Sequence, residues 1–171
     1  MSDDDAVRES LAELCLALGL GRDPASVRDT MFEFYRTIDA EIHSSLGGTE
    51  LPCHAGCDAG CHESVFLSAP EFLVVAMHLV ETRSLDERRA LVREMQTLAT
   101  RFDDELELLE LLEPGEERDE VAARVKFRCP LLTKDGACSI HPARELNART
   151  FGASFDELRG APYGCGIVAP L

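Results

Sequence analysis

The stretch Ser68-Ala69-Pro70-Glu71-Phe72-Leu73-Val74-Val75-Ala76-Met77-His78-Leu79 decides the fold class. Its first four residues read as a capping box, in which a serine and a glutamate three positions on satisfy the free amides of a helix start. Phe72, Val75 and Leu79 then recur at helical spacing. A second box, Ser84-Leu85-Asp86-Glu87, opens the next element. From it Leu91, Met95, Leu98, Phe102, Leu106 and Leu109 form a single apolar stripe, ended by Pro114-Gly115.

Upstream the same logic gives two more helices. Val7, Leu11, Leu14, Cys15 and Leu18 lie on one face, and Gly19 and Gly21 end it. Asp23-Pro24 pairs a capping carboxylate with a proline that has no amide to lose, and Val27, Met31, Phe34, Ile38 and Ile42 carry that helix to Gly47-Gly48. Downstream, Val121, Val125 and Phe127 predict a short helix returning to the core. Residues 129–141 differ, because Asp135-Gly136 between two short apolar runs is a hairpin signal. Pro142 starts another short helix, and Ser154-Phe155-Asp156-Glu157 is expected to cap a last one. The expectation is a mainly α, helical single domain with a small cysteine-rich metal module containing a short β-hairpin. Residues 1–50 supply the N-terminal helices, 51–67 a first cysteine cluster, 68–127 a helical segment, and 128–171 a second cysteine motif and the C-terminal segment.

At 171 residues and 18.8 kDa the chain has the size of one domain. A net charge of −15 argues against nucleic acid and anionic membranes as partners. No run approaches the roughly 18 apolar residues of a membrane span, and Asp3-Asp4-Asp5 is unlike a secretory or transit leader, so a cytoplasmic location is expected. Ten acids stand against Arg118 alone between Asp103 and Glu120, a local charge of −9 that reads as a solvated face.

Seven cysteines in a reducing compartment point to metal or redox chemistry rather than disulfides. Cys15 lies on the apolar face of the first helix and reads as core. Cys53, Cys57 and Cys61 are spaced four apart, with Gly56 and Gly60 allowing the backbone to fold closely around an ion. Cys129 and Cys138 flank the Asp135-Gly136 turn, whose base brings two residues together as in zinc ribbons and knuckles. Cys165, between two glycines, makes six clustered thiols. His54, His62 and His141 each lie beside a cysteine and are further candidate ligands, whereas His43 and His78 read as structural. Six sulfurs suit a four-sulfur site with spares, a site with a labile position, or an iron centre.

These motifs resemble the YkgJ-type cysteine-cluster family of zinc- or iron-chelating domains. The matching residues are Cys53, Cys57 and Cys61, then Val65-Phe66-Leu67-Ser68 with Glu71, Cys129-Pro130-Leu131-Leu132, and Gly136-Ala137-Cys138-Ser139-Ile140. Arg144, Arg149 and Cys165 complete the match. The departures are His62 where the family has an adjacent cysteine, His141 where tyrosine is common, Glu145 for a proline, and Ala148 for the last motif cysteine. The resemblance implies zinc or iron as cofactor, an iron–sulfur cluster included. Through relatives that are flagellin lysine N-methylases with an associated iron–sulfur centre it also implies, as one alternative, an iron–sulfur-dependent redox or protein-modifying, methylase-like enzyme. Metal delivery or an adaptor role toward a protein partner is another. Arg144 and Arg149 read first as structural, capping carbonyls or pairing carboxylates, and second as counter-charges to a thiolate cluster. No catalytic triad or paired carboxylate is evident, and no Gly-rich nucleotide loop.

Overall fold

A computed structural model describes residues 3–21, 23–46, 57–58, 60–62, 65–113, 115–151, 153–156 and 161–163. The described chain is mainly helical. Helix α1 spans Asp3–Ala17 and α2 Pro24–Ser45, separated by Gly19 and Gly21 at positive φ. The Asp23 carboxylate accepts the Ala25 amide at 3.0 Å, the cap expected of an Asp-Pro start. Helix α3, Ala69–Thr82, and helix α4, Leu85–Arg101, both begin at their boxes. The Ser68 amide donates to Glu71 and the Ser84 amide to Glu87, each at 2.8 Å.

Helix α3 is the middle of the fold, and its composition explains why. Leu73 and Met77 pack with Leu11 and Cys15 of α1, while Val74 and Val75 pack with Tyr35 of α2, Leu91 of α4, Leu131, Ile140 and Ala143. A helix covered on both sides must be apolar around most of its circumference. Cys15 is fully buried, as its place on the α1 stripe predicts. Desolvation first, and the charge of Asp23 second, push its thiol pKa up.

The long stripe from Leu91 to Leu109 is not one helix. It breaks at Phe102, whose φ of −115° and ψ of 26° leave the helical region, and α5 then runs Asp103–Leu111. Three acids at the start of α5 complement its dipole, so a new N-terminus is stable there. Phe102 and Leu109 still face one cluster with Val121 and Val125, brought back by α6, Glu116–Ala122. Apolar periodicity thus survives the break because Leu98 at the end of α4 and Leu106 on α5 pack on that same cluster, whereas Leu91 belongs to the central one.

The predicted turn at Asp135-Gly136 forms, with Gly136 at φ 79°. The short β-hairpin expected around it is not shown, since its arms form no strands: an isolated bridge joins Leu132 with Cys138, flanked by the Thr133 amide donating to Ala137 and the Ser139 amide to Leu131. A 3-10 turn, His141–Ala143, and helix α7, Leu146–Thr150, follow. The helix expected to be capped by Ser154 is not there. Ser154–Asp156 is strand β1, pairing antiparallel with β2, Ala161–Tyr163. Pairing with a segment downstream prevails over a local capping signal. Among the described residues, no helix is long and apolar enough to cross a membrane.

Candidate functional site

Two distant parts of the sequence meet at the cysteines. The Cys129 amide donates to the Cys61 carbonyl at 2.9 Å, and the Phe127 amide to the His62 carbonyl at 3.2 Å. The segments therefore run side by side in opposite directions. Within the first, the Cys61 amide closes a turn onto the Asp58 carbonyl at 2.8 Å. Within the second, the Leu132 amide returns to the Cys129 carbonyl, and the turn brings Cys138 opposite Leu132. Cys129 and Cys138 lean on the central core, against the cluster of Tyr35, Val74 and Ile140.

The described cysteines carry no disulfide, and Cys57, Cys61, Cys129 and Cys138 are all partly exposed. Burial pushes the Cys61 thiol up to about 11, and the neighbouring Cys129, Cys138, Asp58 and Cys57 add to it. Burial also raises Cys129, seconded by Cys138 and Glu94, while the Leu131 amide and Arg128 act the other way. Four thiols thus lie within electrostatic reach of Cys61, counting itself, and an amide favours the anionic form of Cys129. Among the described residues, no three His, Cys, Asp or Glu side chains converge closely enough to hold an ion as they stand.

The remaining candidates are spread around this point. His62 Nε2 is 3.5 Å from Asp58 Oδ2, a pair that is ionic only when the ring is protonated. His141 is exposed; desolvation, then Arg144 and Arg149, hold its imidazole below the usual range. Cys53, His54 and Cys165 lie outside the described residues, as does Gly56. Gly60 does serve a close approach, but to a ring: a Cβ there would stand 3.1 Å from the Phe151 side chain.

Behind the cysteines sits a polar cluster that residue spacing alone did not expose. Glu71 is buried, and besides capping α3 it accepts the Leu146 amide at 2.8 Å, tying α3 to the start of α7. Glu145 caps α7 by accepting the Ala148 amide. Arg149, also buried, donates to Asp39 at 2.7 Å and to the carbonyls of Arg144 and Pro142. Its guanidinium carbon lies 4.1 Å from the centre of the Tyr35 ring. The structural reading of Arg149 is correct. The cluster fixes the chain that leaves Cys138.

Glu71 supplies a pH prediction. Burial raises its pKa, but hydrogen bonds from Ser68 and Leu146 outweigh this and leave it below the ordinary value. A depressed carboxylate contributes stability above its unfolded pKa and loses it as pH falls through the folded one. Glu145 has the opposite sign: burial first, and the Glu71 charge among other causes, raise it. Glu71→Gln is therefore expected to cost about 2 kcal/mol near neutral pH, since buried amides lose a charged acceptor. It should also flatten the loss of stability on acidification below the ordinary glutamate pKa. Urea unfolding across that range checks both; an unchanged acid limb would remove Glu71 as its cause.

No protein-family model, curated protein or solved structure matches the chain.

Proposed function

We propose that this is a metal-binding cysteine-cluster protein that holds zinc or iron through about four of Cys53, Cys57, Cys61, Cys129, Cys138 and Cys165, in a reducing compartment such as the cytoplasm. The observation that carries the reading is the backbone tie between Cys61 and Cys129, with Cys57 and Cys138 within electrostatic reach of the same sulfur. Thiols that raise one another's pKa resist ionising together, and a bound cation reverses that balance by stabilising every thiolate at once. Soft sulfur donors suit zinc and iron rather than magnesium or calcium. The Leu131 amide directed at Cys129 is the kind of outer contact that stabilises a ligating thiolate. Because the described side chains do not converge as they stand, metal binding would draw the sulfurs of the two paired segments onto one point and add to folding stability.

No reaction is assigned. The test is elemental mass spectrometry on anaerobically purified protein, with an absorbance spectrum of the same sample. About one zinc per chain without colour fits a closed structural site. Iron with sulfide and visible absorbance would favour the iron–sulfur enzyme reading. Neither metal, with the thiols open to titration, would end the proposal.

A further inference from the structure

The two cysteine segments are tied at one pair of residues. The Cys129 amide donates to the Cys61 carbonyl at 2.9 Å. An amide–carbonyl bond of this length sets its two Cα atoms about 5.5 Å apart, within the span of about 4.4–6.8 Å that a disulfide bridges. The segment bearing Cys61 is held on either side of that residue. The Phe127 amide donates to the His62 carbonyl at 3.2 Å, and a Cβ on Gly60 would stand 3.1 Å from the Phe151 ring. After burial, the strongest influence on the Cys61 sulfur is the Cys129 thiolate, ahead of Cys138, Asp58 and Cys57. Cys138 is bridged instead to Leu132. Cys61 and Cys129 are both free thiols and partly exposed, so a small oxidant can reach them.

We propose that Cys61 and Cys129 are a modification site, joined reversibly in a disulfide by a low-molecular-weight disulfide such as oxidised glutathione. One of the two sulfurs, as thiolate, attacks the small disulfide, forms a mixed disulfide with one glutathione and releases the other. The second cysteine then attacks the protein sulfur of that mixed disulfide and releases the remaining glutathione. Two electrons pass from the cysteine pair to the oxidant, and the two thiol protons end on two glutathione thiols. In a reducing compartment such a bond is transient, a response to oxidation and not a permanent staple. The pairing needs no metal. Where metal is bound, the bond and the metal compete for the same two sulfurs, a consequence that rests on the metal-binding reading.

The experiment incubates the full chain with oxidised glutathione in the presence of a chelator, alkylates the remaining thiols and maps linked peptides by mass spectrometry. The expected product is one internal bond between Cys61 and Cys129, lost again on treatment with dithiothreitol. In urea, which removes the backbone tie, pairing should shift to sequence neighbours such as Cys57 and Cys61, because short loops close more readily. Cys129 joined to Cys138 in the folded chain, or Cys61 joined to Cys57, would overturn the proposal. Glutathione adducts without an internal bond would do the same. One equivalent of zinc in place of the chelator should slow the bond by about tenfold or more, since a metal-held thiolate is not free to attack. A chain that forms the bond but takes up no zinc would end the metal-binding reading and leave this pairing intact.

Discussion

Cys129→Ser protein is expected to retain less than about a tenth of the metal bound by the wild type and to melt about 10 °C lower. Cys129 joins the two halves of the candidate site. Its amide bonds to Cys61, its sulfur faces the Leu131 amide, and its side chain packs on the central core. Serine preserves the backbone tie and the approximate volume but replaces a soft thiolate by a hydroxyl that stays protonated and binds zinc or iron weakly. The loss should therefore appear in metal content before it appears in helix content. Cys15→Ser is the control. Cys15 is fully buried in the cluster of Leu11, Leu73 and Met77. A hydroxyl there lowers stability by about 1–3 kcal/mol without touching a ligand. Elemental analysis per folded chain separates the two. Equal metal in wild type and Cys129→Ser would remove Cys129 from the site, and metal loss in Cys15→Ser would void the division between core and cluster.

The helix starts were legible because each is encoded within four residues. Asp23-Pro24, Ser68 with Glu71 and Ser84 with Glu87 carry both partners of their caps in one short window. What escaped was non-local or had two local solutions. Phe102 sits on the apolar stripe whether or not the helix continues, so periodicity is silent about the break; the acids that follow it were the available signal. Ser154 opens a sequence that can cap a helix, yet its partner is Tyr163 across a sheet. The cysteine groups announced their chemistry, but nothing local says that Cys61 bonds to Cys129 rather than to Cys138. Glu71 read as a cap, and half of its work lies 75 residues away at Leu146.

Arg149 gives the second large effect, and its size follows from exposure. The guanidinium is 4% exposed, whereas its partner Asp39 is 47% exposed. A half-exposed carboxylate keeps its water, so the ion pair itself contributes less than about 1 kcal/mol. The carbonyls of Pro142 and Arg144 depend more on the donors of Arg149, and the Tyr35 ring lies beneath its plane. Arg149→Ala should thus cost about 3 kcal/mol, from two carbonyls left short of a donor and a lost stacking contact. For a chain of this length the melting temperature would drop by about 10 °C. Asp39→Ala should cost less than about 1 kcal/mol. Arg149→Lys keeps the charge but not the planar fork, and should recover less than half of the loss. Thermal and urea unfolding of the three variants give the order directly. Full recovery by lysine would mean that charge, not geometry, is what α7 requires. The lysine variant also separates positioning from ligation: because Arg149 fixes the turn after Cys138 and bonds to no sulfur among the described residues, its metal content per folded chain should equal that of the wild type.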